Sequence, residues 1–86
     1  MIVHDIFLDR YPNIDLHGFD RDMARVKVND FIDESIYMGY TKVIIIHGIG
    51  DGIVKNSVHD TLSRRKDIIG YHVVPENIGC TIVTLK

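Results

Sequence analysis

Residues 43–52 read VIIIHGIGDG, an aliphatic run that stops at a histidine and continues into three glycines within five positions. Residues 41–46 are β-branched and apolar without alternation, which is typical of a central strand. Gly48, Gly50 and Gly52 predict a loop after that strand, because glycine allows positive φ and close backbone approach. The stretch therefore predicts an α/β fold with a glycine loop at the end of a central strand.

A second His-Gly pair ends a shorter apolar segment upstream, in the sequence IDLHG at residues 14–18. Asp15 and His17 are two positions apart, so both project from the same side of a strand. If this strand runs parallel to the central one, His17 and His47 lie at carboxyl ends, on the edge where α/β sheets place ligands. We therefore expect Asp15, His17 and His47 to converge on one site.

Two helices are predicted between these strands and after the loop. Asp20 and Gly39 occupy N-cap and C-terminal stop positions for a first helix that runs to about residue 38. A second helix begins near Gly52 and frays around residues 64–66. Its inward positions are Val54, Val58 and Leu62, with Lys55, Asn56 and His59 on its other faces. The inward side of the first helix consists of Ala24, Val28, Phe31, Ile32, Ser35 and Met38.

The C-terminal third predicts two further strands. Residues 71–74 and 80–85 are strand-like, and Pro, Asn and Gly at residues 75–79 favour a turn, which makes a hairpin. The order β-α-β-α-β-β predicts a two-layer α/β sandwich with a mixed four-stranded sheet. We expect one domain over residues 14–86, preceded by an arm at residues 1–13.

Composition and charge narrow the class of protein. The 86 residues carry a net charge of −2, with an acidic excess in residues 1–40 and a basic excess in residues 41–86. Because nucleic-acid binders usually carry a basic excess, any such contact must be local. The longest strictly apolar run, residues 43–46, is too short to span a membrane, and the N-terminus lacks the apolar core of a signal peptide. We therefore expect a cytoplasmic protein with no membrane partner, in which the single Cys80 is a buried thiol.

The glycine loop has the features of an anion site. It leads into the amino end of the second helix, where backbone N–H groups have no helical partner. Lys55, in the first turn of that helix, adds a charged donor for the same oxygens. The glycine spacing matches neither the dinucleotide fingerprint nor the Walker loop, so no small-molecule cofactor is expected. No metal site is assigned, and a divalent cation held by Asp15 is left open.

Histidines at strand ends also have a structural interpretation. Such a residue is more often hydrogen-bonded within the fold than catalytic, and glycines after a strand often form only a turn. The duplicated His-Gly pair favours a functional role for His17 and His47. His4, His59 and His72 lie outside that pattern and are interpreted as structural residues.

Three segments together resemble the Smr domain, the small MutS-related module. They are IDLHG, VIIIHGIGDGIVKNSV and GCTIVTL, within about residues 14–86. The family implies a fold similar to the C-terminal domain of translation initiation factor three, in agreement with the predicted order of elements. Several Smr domains are DNA-nicking or RNA-cleaving endonucleases, whereas others mainly bind, so the resemblance implies an action on nucleic acid.

The family signatures can be placed on this sequence position by position. The resemblance implies catalysis at Asp15, His17 and His47, and phosphate binding at Gly48, Gly50, Lys55 and Thr81. Gly52 joins the phosphate site as the last glycine of the loop. Ile49 stands where members often have a basic residue, and only Gly79 remains of a glycine-rich turn before the last strand. Both departures remove phosphate contacts, so we expect modest affinity for nucleic acid.

Three hypotheses about function follow. The first is an endonuclease acting on DNA or RNA, in which His17 or His47 serves as general acid or base and the loop stabilises charge on phosphate. The alternative is a non-catalytic module that binds nucleic acid or a ribonucleoprotein, with the ribosome as one candidate partner. The third is a protein-interaction domain that uses outward-pointing Val26 and Tyr37. The sequence does not predict an oligomeric state.

Overall fold

A computed structural model of the chain describes residues 10–86. Its elements are β1 (Asn13–Asp15), α1 (Arg21–Tyr37), β2 (Lys42–Ile46), α2 (Ile53–Ser63), β3 (Ile68–Val74) and β4 (Asn77–Leu85). This is the predicted β-α-β-α-β-β order. The proposed N-terminal arm, residues 1–13, and the structural interpretation of His4 fall largely or wholly outside the described residues. Over the described part of the chain, neither helix is long and apolar enough to span a bilayer.

The four strands form one mixed sheet in the order β1-β2-β4-β3. β1 pairs parallel to β2, while β4 pairs antiparallel to both β2 and β3. β2 is therefore bordered on both sides, as its uninterrupted aliphatic sequence predicts. The parallel pair and the hairpin confirm the expected two-layer α/β fold.

Both faces of β2 are buried, which explains why its apolar residues do not alternate with polar ones. Val43 and Ile45 lie in a core shared with both helices, whereas Ile44 and Ile46 lie in a second cluster on the other face. The main core consists of Leu16, Ala24, Val28, Ile32, Val43, Ile45, Val58, Leu62, Val83 and Leu85. The second cluster consists of Ile44, Ile46, Val74, Cys80 and Ile82, with Tyr11 packed against it. Cys80 is a buried thiol, as predicted.

α1 begins and ends where its capping residues place it. The Asp20 carboxylate accepts a hydrogen bond from the amide of Met23, and Gly39 has the positive φ of a C-terminal stop, +81°. The inward prediction is wrong for Met38, which is 56% exposed. The helix ends at Tyr37, so Met38 no longer follows the 3.6-residue period that would turn it toward the sheet.

The C-terminal hairpin is longer and tighter than predicted. β3 begins at Ile68 rather than residue 71, and β4 begins at Asn77 rather than residue 80. Pairing of Val74 with Asn77 leaves only residues 75–76 in the turn. The pairing of β3 with β4 shifts register near Gly70 and near Val74. Such irregularities accommodate glycine and polar residues within strands, although these residue types are more typical of loops.

Arg65, just after α2, links the helical layer to the sheet. Its guanidinium donates to Asp33 on α1 at 2.6 Å and to Asp67 before β3 at 2.8 Å, and also to Oδ1 of Asn29 at 2.9 Å. Hydrogen bonding to Arg65 lowers the pKa of Asp67, and the same contact raises that of Arg65. The sequence predicts only a frayed helix end at this position.

Candidate functional site

The carboxyl ends of β1 and β2 lie at one edge of the sheet. Asp15 is paired with Ile46, and the amide of Leu16 donates to the carbonyl of Ile46 at 2.9 Å. His17 and His47 follow immediately after these paired positions. The backbone therefore has the arrangement that the two His-Gly ends predict.

Asp15 and His17 form an exposed turn at the end of β1. The Oδ1 atom of Asp15 accepts a hydrogen bond from the amide of His17 at 2.9 Å, and Gly18 then adopts a φ of +85°. Within residues 10–86, the His17 ring makes no hydrogen bond and no ring contact with His47. The expected side-by-side contact of these two imidazoles is therefore absent, although both residues lie at the same edge.

The His47 ring is instead turned toward β4. Its Nε2 atom lies 2.8 Å from Oγ1 of Thr81, and its Nδ1 atom lies 3.1 Å from the carbonyl oxygen of Gly48. The side chain is only 8% exposed, and burial lowers the pKa of His47 despite the hydrogen bond to Gly48. Both ring nitrogens are thus occupied by protein groups.

His59 on α2 completes this cluster. Its Nε2 atom also lies 2.8 Å from Oγ1 of Thr81, and its ring centroid is 6.0 Å from that of His47. The ring of Tyr71 packs against it edge to face, with centroids 5.1 Å apart. The predicted position of His59, on a face of α2 away from the core, is wrong, because the side chain is half-buried against β4. One signal existed, since His59 follows Lys55 by four residues and so shares its side of the helix.

The glycine loop at residues 48–52 presents open backbone amides. The amides of His47 and Gly48 both donate to the carbonyl of Gly79 at 2.9 Å, and that of Ile53 donates to the Asp51 carboxylate at 3.1 Å. In the described part of the chain, the amides of residues 49–52 and 54–55 donate to no acceptor. The loop therefore retains the donors that an anion would need, apart from the amide of Gly48.

The three loop glycines differ in what the fold requires of them. Gly48 and Gly52 have φ values of +89° and +87°, which favour glycine over any other residue. Gly50 does not have positive φ, and a Cβ atom at this position would meet no atom of residues 10–86 within 4 Å. Nothing among the described residues requires residue 50 to lack a side chain.

Thr81 and Lys55 have different surroundings. Thr81 is fully buried, and its hydroxyl lies between the two imidazoles, so in this conformation it is not open to phosphate. Lys55 lies beside the loop, and its charge lowers the pKa of both His47 and His59. Among residues 10–86, no three His, Cys, Asp or Glu side chains lie close enough together to hold a metal ion.

Comparison with known proteins identifies the family. The family model described as the Smr domain matches residues 14–86, which include both His-Gly ends, the glycine loop and β4. The chain belongs to the Smr domain family. The match confirms the resemblance carried by the strand-end and loop motifs.

Curated relatives of this Smr domain are named endonuclease MutS2. The proteins from Streptococcus suis and Lacticaseibacillus casei are each 37% identical over 76 residues, which cover 85% of this chain. The chain spans about a tenth of the length of these relatives, since the alignment covers 10% of each. The similarity therefore concerns one domain of a much longer protein.

Two solved structures share the fold of this Smr domain. The Smr domain of Thermus thermophilus MutS2 has a TM-score of 0.84 at 24% identity, covering 87% of this chain and 98% of that one. YdaL, a stand-alone small MutS-related protein from Escherichia coli, has a TM-score of 0.81 at 26% identity, covering 98% and 77%. These structures confirm the two-layer architecture.

Proposed function

We propose that this Smr domain binds the sugar-phosphate backbone of DNA or RNA at the loop of residues 48–52 and hydrolyses a phosphodiester bond there. Open amides, the Lys55 ammonium and imidazoles lie together at one edge of the sheet, a combination suited to a phosphate undergoing substitution. The relatives named endonuclease MutS2 support the same class of substrate. Because this chain matches only a tenth of them, the activity is proposed for the domain itself.

Gly50 carries this proposal. Its φ and the open space around it would allow other residues at this position, so the fold does not require glycine here. A phosphate that lies on the loop amides, in contrast, needs a backbone without a side chain. Gly48 and Gly52 shape the loop through their positive φ, and the open amides of residues 49–52 supply the donors. The ammonium of Lys55 adds charge without any hydrogen bond to another described side chain.

His17 is the predicted catalytic histidine whose ring is available to substrate. Asp15 fixes the strand end by accepting the amide of His17, and the exposed His17 lies at the same edge of the sheet as the end of β2. An imidazole can give or take a proton at phosphate oxygens. His47, predicted as an acid or base, uses both ring nitrogens inside the fold, so its contribution here is to hold Thr81 and Gly48 in place.

The Gly50→Ala variant tests the loop. Its folding should be unaffected. Its affinity for a labelled oligonucleotide should fall about tenfold, because the new methyl group displaces phosphate from the amides. Its nicking of supercoiled DNA or cleavage of structured RNA should fall by about the same factor. Gly70→Ala is the matched control, since Gly70 also lacks positive φ and also faces open space. Equal binding by the two variants would refute the phosphate site.

The His17→Ala variant separates hydrolysis from binding. We expect it to bind the oligonucleotide like wild type and to lose about 100-fold or more in cleavage rate, the contribution of a general acid or base. Binding by wild type with no cleavage of either substrate would instead favour the non-catalytic module. Asp51 favours that alternative, because its carboxylate stands at the open amides and opposes an incoming anion.

A further inference from the structure

The hydroxyl of Thr81 lies within hydrogen-bond distance of two imidazoles. Nε2 of His47 and Nε2 of His59 are each 2.8 Å from its Oγ1 atom, although the three residues come from the end of β2, from α2 and from β4. A threonine hydroxyl has one hydrogen to donate and two lone pairs to accept with. The two contacts therefore restrict the protonation of both rings.

The carbonyl of Gly48 determines the direction of this chain of hydrogen bonds. The carbonyl of Gly48 can only accept, so Nδ1 of His47 carries a hydrogen and Nε2 of the neutral ring accepts. The Thr81 hydroxyl must then donate to His47, and its oxygen accepts from the Nε2–H group of His59. In neutral His59, the lone pair is consequently on Nδ1.

Nδ1 of His59 is also the nitrogen that reaches solvent. It has no hydrogen-bond partner among the described residues, and no side-chain nitrogen or oxygen there is buried without a partner. Lys55 lies one helical turn earlier on the same side of α2, adjacent to the loop amides. An unprotonated imidazole nitrogen therefore opens to solvent beside the proposed phosphate site.

We propose that His59 is a catalytic residue of this domain, with its Nδ1 atom acting as the general base; this inference rests on the proposed hydrolysis of a phosphodiester. Nδ1 takes a proton from the attacking water as the water oxygen bonds to phosphorus. The bond from phosphorus to the leaving oxygen breaks, and that oxygen takes up a proton from His17, which is then the general acid of the proposed function. Thr81 and His47 hold the ring and its tautomer in place.

The surroundings of His59 keep it neutral at physiological pH. Burial is the main cause that lowers its pKa, and the neighbouring His47 and Lys55 lower it further. Tyr71 on β3 covers one edge of the ring. The cleavage rate should therefore decrease at acidic pH, as His59 becomes protonated. This acid limb of the pH–rate profile should depend on the identity of residue 59.

His59→Gln is the decisive variant, because the Gln amide can still donate to Thr81 but cannot act as a base. Nicking of supercoiled DNA and cleavage of structured RNA should fall about 100-fold or more, and the remaining activity should lose its acid limb. His72→Gln, which replaces an exposed histidine of β3, should keep the wild-type rate and pH profile. A wild-type rate and profile in His59→Gln would overturn the proposal.

Nitrogen NMR of the imidazoles separates this inference from the proposed function. Nδ1 of His59 should be unprotonated near neutral pH. Inorganic phosphate should raise the pKa of His59 and leave the imidazole signals of His72 unchanged. If wild type cleaves neither substrate, the proposed hydrolysis fails and the general-base role fails with it; if wild type cleaves but Nδ1 is protonated, only the assignment to His59 fails. A protonated Nδ1, or no response to phosphate, would overturn the assignment in either case.

Discussion

A buried hydroxyl between two imidazoles is costly unless every partner is satisfied. Thr81 meets this condition because His47 and His59 approach it with complementary donor and acceptor nitrogens. Protonation of His47 would place a second N–H group against Oγ1 of Thr81, which already accepts from His59. The hydroxyl hydrogen of Thr81 would then lose its acceptor. The hydrogen bonds of the cluster therefore require His47 to be neutral, and burial also favours the neutral form of His59.

Stability should consequently depend on pH. Burial lowers the pKa of His47 and His59 in the folded state, so the unfolded chain binds more protons below about pH 6.5. Their contribution is fully present above that pH and is lost as pH falls through the folded-state pKa values. Urea unfolding across about pH 5 to 8 should show the free energy of unfolding decreasing on acidification.

The double variant His47→Gln with His59→Gln provides the comparison for this effect. Its free energy of unfolding should change less with pH over the same range, whereas His72→Gln should retain the wild-type slope. An equally steep slope in the double variant would mean that other groups cause the acid loss.

Asp51 limits the affinity of the loop for anions. Its carboxylate accepts the amide of Ile53 and places a negative charge beside the open donors. Asp51→Asn keeps an acceptor oxygen but removes the charge, so oligonucleotide binding should tighten roughly fivefold, corresponding to about 1 kcal/mol for one charge near 4 Å in water. Fluorescence anisotropy at low and moderate salt measures the change, and the gain should shrink as salt rises.

Asp30→Asn is the matched control for that measurement, because it removes the same charge from an exposed position in the middle of α1. The two variants have equal net charge. If both tighten binding equally, the effect belongs to the overall charge rather than to the loop.

Elements that are distant in sequence are joined at Arg65. This side chain is 16% exposed and bonds to α1 and to the residue that precedes β3, whereas the neighbouring Arg64 forms an exposed pair with Asp60 within one helical turn. Removal of Arg65 leaves several polar groups without their charged donor, but removal of Arg64 leaves solvated groups. The two adjacent arginines should therefore differ in their contribution to stability.

Arg65→Met should lower the free energy of unfolding by about 1–2 kcal/mol, as measured by urea denaturation. Arg64→Met should change it by less than about 0.5 kcal/mol. Similar values for the two variants would show that the contacts of Arg65 add no more than a surface ion pair.

The ends of these elements were predictable where local chemistry determines them. Asp20 and Gly39 act within one turn of α1, so the sequence alone locates that helix. The start of β3 was not predictable, because Ile68 pairs with Leu85 across a register shift that no local pattern indicates. The same limit explains His59, whose partner Thr81 lies 22 residues away on β4.

At the scale of the whole molecule, the edge of the sheet that holds the site could be predicted from the sequence, but the directions of the side chains at that edge could not. Parallel pairing of β1 and β2 brings His17 and His47 to one edge through backbone geometry, which hydrophobic patterns predict well. The direction of each ring depends on which hydrogen-bond partners the packed layers offer. That information arises only when α2 lies over β4, so the His47 ring turned away from His17 could not be predicted.

The carbonyl of Gly79 accepts the amides of both His47 and Gly48, and thereby ties the hairpin to the glycine loop. A displacement of the hairpin is transmitted through this oxygen to the first residues of the loop. The length and stiffness of the turn at residues 75–76 can thus set how widely the loop opens, without any substitution inside it. A substitution in this surface turn would therefore act on the loop from outside it.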